Sequence, residues 1–327
     1  MRIRRFVVAA TFSLTALSGL AAAQAQPAAP AGPAPLPKGV APFEVAQYNS
    51  FTWYGRFGYT NCAFIDMGDG VLVIDTGWTK QDAENLKAQI KEKTKGKPVR
   101  WIVMTQTDLD SNGGIEAFLP TDATIFVHAR ALEPLSRAVF RPAPDRKNPT
   151  VVGVEDRLVV NVEGRRIELV AAPAAAHSPY DLVVYCNDNG IAFVGDLVTG
   201  GRCPNLLNPS SDPSSWLGML DRIEKLNPAG LLGTRGEPTK TVSYELDRTK
   251  AYLERVVRFL AEQKIKNAPE ARVAAELAIR PIGEYCPQQA DNANVLALYK
   301  RMQPDGTFST PKRPAPAAKA PAAPAPR

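Results

Sequence analysis

Val99-Arg-Trp-Ile-Val-Met-Thr-Gln-Thr-Asp-Leu-Asp-Ser-Asn-Gly-Gly114 is the stretch on which the fold turns. Its first six residues are almost continuously apolar, the pattern of a strand covered on both faces. The polar cluster Thr105 to Asn112 follows at the carboxyl end, where side chains can be aimed into a crevice. Gly113-Gly114 then lets the backbone turn sharply into a short helix around Ile115 to Leu119.

Upstream, Asn61 to Asp66 and Val71 to Asp75 read as two strands joined by the turn Gly68-Asp69-Gly70, hence a hairpin. Thr79 with Asp82 three residues later is a capping signal for a helix running to about Lys93, which Gly96-Lys97-Pro98 stops. Downstream, Ala123 to Val127 is another strand, so the first half alternates strand and helix. Residues 157–162, 165–171, 181–186 and 191–194 are short strands joined by Gly- and Asn-containing turns, the pattern of an antiparallel sheet. Ser214 to Leu226 is amphipathic, with Trp216, Leu217, Leu220, Ile223 and Leu226 on one stripe. Gly230 to Gly233 gives a last short strand, and two or three helices fill residues 243–300. The most economical assembly is one α/β domain of two sheets between two helical layers.

The ends have a different character. Arg2, Arg4 and Arg5 precede the apolar run Phe6 to Leu20 and the small-residue stretch Ala23-Gln24-Ala25, so residues 1–25 are expected to be a signal peptide. Residues 26–42 form a Pro/Ala-rich linker, 43–305 the folded domain, and 306–327 a disordered Pro/Ala-rich tail without large side chains to bury. The formal charge of +6 resides in these ends: without the three early arginines and the four basic residues after Pro311, residues 26–310 carry −1. That argues against nucleic-acid binding. The expected location is periplasmic or secreted, with no transmembrane segment once the signal is removed. Cys62, Cys186, Cys203 and Cys286 lack any CxxC spacing. An exported location permits disulfides among them, with the pairing and the oligomeric state left open. No Gly-x-Ser-x-Gly elbow, Walker loop or dinucleotide fingerprint is present, which removes the usual serine-hydrolase, nucleotide-hydrolase and NAD-enzyme machinery. The aromatic run Trp53, Tyr54, Phe57 and Tyr59 reads either as packing or as the rim of a pocket.

Four polar points follow apolar segments: Thr105 to Asn112, His177 with Ser178 and Asp181, Gly195-Asp196, and Gly233-Thr234-Arg235-Gly236. With Gly70-Val-Leu-Val-Ile-Asp75-Thr-Gly77 and the Ser215-Trp216 helix, their order and spacing resemble the metallo-beta-lactamase fold superfamily over most of residues 45–260. The resemblance implies a four-layer αββα sandwich and a cleft in which histidines and aspartates hold one or two metal ions. Carried over by position, Gln106 and Asp108 stand where the first two histidines of that pattern occur, Asp110 is retained, and Ser111 replaces the third. His177 and Asp196 match, and Arg235 stands in place of the last histidine.

A guanidinium has five donors and no acceptor, so it cannot ligate a cation but can replace one. A salt-bridge network of Arg235 with Asp110 and Asp196 is therefore expected in the second metal position. The first position, with Asp108, His177, Asp196 and Gln106 as candidate ligands, is expected to hold at most one divalent metal (zinc, manganese or iron), or none. Asp110, Asp108 and His177 are the candidate catalytic groups. The functional expectation is an exported hydrolase acting on a small ester, lactone or amide. The alternatives are a non-catalytic pseudoenzyme that binds a small-molecule ligand, and an envelope structural or interaction protein.

Overall fold

The computed structural model describes residues 45–309 apart from 59, 120, 142–147, 280–285, 304 and 306. The segments read as signal peptide and linker lie outside the described residues, as do Tyr59 and most of the expected tail. Chain contacts continue past residue 305, where that tail is expected to begin: Met302 and Phe308 form a bridge, and Phe308 packs on the core.

Alternation of buried side chains builds the architecture. Strands β1 (Val45–Asn49), β2 (Thr52–Phe57), β3 (Thr60–Asp66), β4 (Val71–Ile74), β5 (Val99–Val103), β6 (Thr124–His128) and β7 (Thr150–Val154) lie in that order in one sheet. The pairing is antiparallel from β1 to β4 and parallel from β4 to β7. The second sheet runs β12 (Gly230–Gly233), β11 (Ile191–Gly195), β10 (Leu182–Cys186), β9 (Arg165–Ala171) and β8 (Arg157–Val162). Here β8 to β11 are antiparallel, whereas β12 adds parallel to β11.

Odd and even positions divide between layers because successive strand side chains point to opposite faces. In β3 and β4, Ala63, Ile65, Leu72 and Ile74 face the second sheet, where they meet Leu169, Val184, Ile191 and Phe193. Their neighbours Phe64, Val71 and Val73 face α1 (Lys80–Lys93) with Leu86 and Ile90. In the second sheet Val170, Val183, Ala192 and Val194 face away from the first. They meet Trp216, Met219, Leu220 and Ile223 of α4 (Pro213–Lys225) and the long α5 (Val242–Ile265). Three apolar interfaces therefore separate four layers, αββα. Each fully buried large side chain contributes roughly 1.5–3 kcal/mol, so the α4 stripe anchors the outer layer firmly.

Other elements not legible in the sequence are short or lie at edges: β1, β7, α2 (Leu109–Asn112) and α3 (Leu132–Ala138). The aromatic run resolves as strand β2, with Trp53 stacked on Phe64 at 5.3 Å and Phe57 fully buried, so these rings pack rather than line a rim. Two further helices, α6 (Glu270–Ile279) and α7 (Gln288–Arg301), complete the described chain. Cys203 and Cys286 form a disulfide, whereas Cys62 and Cys186 are buried free thiols. Among the described residues no helix is long and apolar enough to cross a membrane.

At the start of α1 the Thr79 hydroxyl accepts from the Asp82 amide at 3.1 Å, and the Asp82 carboxylate accepts from the Thr79 amide at 2.9 Å. Thr79→Ala removes one half of this reciprocal cap. It is expected to lower stability by about 1 kcal/mol, read as a shift in the urea unfolding midpoint at unchanged slope.

Candidate functional site

The cleft sits where β4, β5, β11 and β12 end. Immediately after β4, Asp75 takes a positive φ of 58°, unusual for a residue with a side chain. Its carboxylate accepts from the Thr105 amide (2.8 Å), the Thr105 hydroxyl (2.6 Å) and Asn112 Nδ2 (2.7 Å). Burial pushes its pKa up to about 7 against these bonds. Asn112 Nδ2 also donates to the Gln106 carbonyl at 2.9 Å, so one aspartate fixes the loop from Thr105 to Asn112. Sequence reasoning assigned no role to Asp75; the signal was its place at the end of an apolar strand, before Thr76-Gly77. The turn into the short helix Gly113–Phe118 requires glycine, since a Cβ at Gly113 would lie 2.1 Å from the Trp78 carbonyl oxygen. Gly233 likewise passes so close to Val198 that a Cβ would stand 2.0 Å from its carbonyl oxygen. This brings Thr234 and Arg235 over the end of β11.

The structure brings Asp110, Asp196 and Arg235 together. Arg235 Nη2 donates to Asp110 Oδ2, and Nε lies 3.4 Å from Asp196 Oδ1. Asp196, almost fully buried, also accepts from the Thr234 hydroxyl and from Gln106 Nε2 at 2.7 Å. Gln106 Nε2 is 2.9 Å from Ser111 Oγ. Burial alone would raise the Asp196 pKa, but the charges of His177 and Arg235 and the two hydrogen bonds hold it below the usual carboxylate range. Burial disfavours the charged form of Arg235 too, and the two aspartates more than offset this.

His177 is fully buried on the edge of Trp216, ring centroids 5.7 Å apart. Its Nδ1 lies 3.6 Å from Asp181 Oδ1 and its Nε2 3.8 Å from Asp196 Oδ2, just beyond hydrogen-bond distance. Burial pushes the imidazole pKa down, but Asp181, Asp196 and Asp108 outweigh it and raise the value to about 9. Asp181 is in turn fixed by the Ser178 amide and hydroxyl, both at 2.8 Å. The spacing Ser178-x-x-Asp181 was the sequence signal for this partner. Asp108 precedes α2, half-buried, with Asn208 Nδ2 at 3.5 Å; burial raises its pKa, and the charge of His177 opposes that rise. His128 bonds the Ala172 carbonyl at 2.9 Å.

These donors do not fit a metal ion. In the second position a permanent cation already lies between Asp110 and Asp196. In the first, Gln106 turns its amide nitrogen to Asp196, since its oxygen there would face a carboxylate. Among the described residues no group of three or more His, Cys, Asp and Glu side chains is placed to hold a metal. The site is degenerate on a hydrolase-like fold.

At the mouth, Arg56 of β2 lies opposite Asn61 of β3, whose Nδ2 donates to the carbonyls of Gly233 (3.0 Å) and Gly236 (2.7 Å). Arg56 Nη2 is 3.6 Å from Glu237 Oε1. The loop carrying Arg202 runs against Gly236, where a Cβ would meet the Gly200 carbonyl oxygen at 2.4 Å. Partial burial and the charges of Arg56 and Arg235 lower the Arg202 pKa.

Comparison with known proteins agrees with this geometry. The chain is 25% identical over 165 residues to the 2,4-dinitroanisole O-demethylase subunit alpha of Nocardioides sp. (strain JS1661), and the match covers 50% of this chain and 49% of that protein. The chain thus spans about half the length of this curated relative. Its fold is like that of a metallo-beta-lactamase from Pontibacter korlensis, with TM-score 0.54 and 23% identity, covering 64% of this chain and 98% of the other. It is also like the stereoselective inverting sec-alkylsulfatase Pisa1 from Pseudomonas sp., with TM-score 0.66 and 17% identity, covering 79% and 50%. Residues 55–232, from β2 through β12, match the model of the metallo-beta-lactamase superfamily, so the two sheets and the strand-end loops described above are those of a chain that belongs to that superfamily.

Proposed function

We propose that this protein is an exported, non-catalytic member of its superfamily that binds a small anionic molecule in the cleft. The observation that carries the reading is the Arg235 guanidinium between Asp110 and Asp196, which neutralises the carboxylates a hydrolytic metal centre would need. His177, buried among Asp181, Asp196 and Asp108, has its pKa raised to about 9, which favours the protonated ring at neutral pH and weakens it as a general base. With Arg235 taken up by Asp110 and Asp196, Arg56 and Arg202 add two positive charges beside it against Glu237, which favours an anion as the ligand. The export part of the reading rests on the basic and apolar run at residues 2–20.

Protein purified from its native compartment without added zinc is expected to contain no stoichiometric metal by elemental analysis. It is expected to hydrolyse no member of a panel of small esters, lactones, amides and beta-lactams. A stoichiometric metal beside an unchanged Arg235, or turnover that Asp110→Asn abolishes, would return the hydrolase reading to first place.

A further inference from the structure

Away from the cleft, α4 ends at Lys225 and leaves part of the second sheet uncovered. A groove of about 350 Å³ opens there, floored by Arg157, Glu168, Val170, Tyr185 and Asn187 and walled by Arg222, Lys225 and Leu226. The register explains the floor: Arg157 lies opposite Val170, and Glu168 opposite Tyr185, so these side chains share one face of β8, β9 and β10. Val170 belongs to the core beneath α4, and Tyr185 and Leu226 pack on it, so the groove continues the helix–sheet interface outward.

Its charges are organised. Glu168, only 2% exposed, is held by Arg157, by Arg166 Nη2 at 3.0 Å and by Asn187 Nδ2 at 3.1 Å. Its carboxylate is consumed by these donors. Arg222 reaches across to the Ala171 carbonyl (3.1 Å) and to Asp156. Arg157, Arg166, Arg222 and Lys225 against Glu168 and Asp156 leave two positive charges uncompensated. Basic residues in a last helical turn are what the helix dipole asks for, but Arg157 and Arg166 come from the sheet, where no dipole calls for them.

We infer that this groove is a second binding site, independent of the cleft, for a small anion with an apolar body, such as an aryl phosphate, sulfate or carboxylate. The charged head would take free donors of Arg157, Arg222 and Lys225, and the body would lie on Tyr185, Val170 and Leu226. The volume lies at the small end of ligand pockets, room for one ring and its charged group.

Phenyl phosphate is the probe, added to the full chain and followed by NMR and calorimetry, with inorganic phosphate and phenol as comparison arms. Phenyl phosphate is expected to bind more tightly than either, with the largest amide shifts at Val170, Tyr185 and Asn187. Lys225 is exposed and pairs with no carboxylate among the described residues, so Lys225→Glu leaves the fold intact, checked by its melting curve. It is expected to weaken binding by about tenfold, while Lys225→Arg retains it. No binding at 10 mM (roughly the weak limit of useful affinity), shifts confined to the cleft loops, or equal affinity in Lys225→Glu would overturn the proposal.

Discussion

Arg235→Leu is expected to destabilise the protein by about 3 kcal/mol at pH 7, the low end of what removing one member of a buried ion pair costs. Asp196 is almost fully buried, and its remaining partners, Thr234, Gln106 and the nearby His177, supply only one other positive charge. Asp110 loses its guanidinium donor as well, although it is more exposed and therefore better able to find water. The loss should appear as a lower urea midpoint at unchanged slope. It should shrink in acid, as the two stranded carboxylates become protonated. Adding Asp110→Asn to Arg235→Leu should recover part of the loss, since one of the unpaired charges is then gone. Arg235→Lys should fall between, because an ammonium supplies the charge without the planar fork that reaches both carboxylates. A change below about 0.5 kcal/mol, the range of ordinary surface substitutions, would show that the guanidinium does not do the work of a cation here.

His177 is expected to make stability fall on the alkaline side. Its folded pKa of about 9 lies above the ordinary 6.5, so folding favours the protonated ring. The contribution is complete below pH 6.5 and is lost as pH rises through 9. Such a displacement corresponds to about 3 kcal/mol as an upper figure. Asp75 acts in the same direction at lower pH: its carboxyl, raised by burial from 3.8 to about 7, favours the folded state while protonated, and that contribution declines across this interval. Unfolding free energy should therefore be greatest in mild acid and decline towards pH 9. In His177→Gln the decline between pH 6.5 and 9 should flatten. Urea titrations of both proteins across this range would decide it, and parallel profiles would mean that the imidazole is neutral in the native state. The same protonation bears on function, because an imidazolium between two carboxylates has no lone pair for a nucleophilic water.

Local patterns carried far. The hairpin, the Thr79–Asp82 cap, the antiparallel run from β8 to β11 and the amphipathic α4 depend on neighbours within a few residues. Periodicity and turn residues therefore announce them. Edge elements were less legible: β1, half-buried, and β7, with a glycine and little full burial, lack a strong alternating signal. Replacement of a histidine by Arg235 was visible as a residue type at a motif position, and electrostatics then limited what it could do. The imidazole's partner was not so constrained. The motif grouped His177 with Asp108, Asp196 and Gln106, whereas the chain places Asp181 and Asp196 against the ring.

Sequence by itself determined the layers of this protein and the exclusion of a cation ligand at residue 235, because side-chain period and guanidinium chemistry are properties of the residues alone. Only the tertiary structure decided that Arg235 reaches Asp110 across 125 positions, that Gln106 reaches Asp196 across 90, and that Cys203 meets Cys286 across 83. It also decided that α4 stops short of the sheet edge and leaves a charged groove. Such pairings depend on how two sheets close against each other and where helices run out, and the packing of distant segments has no signature in any one of them.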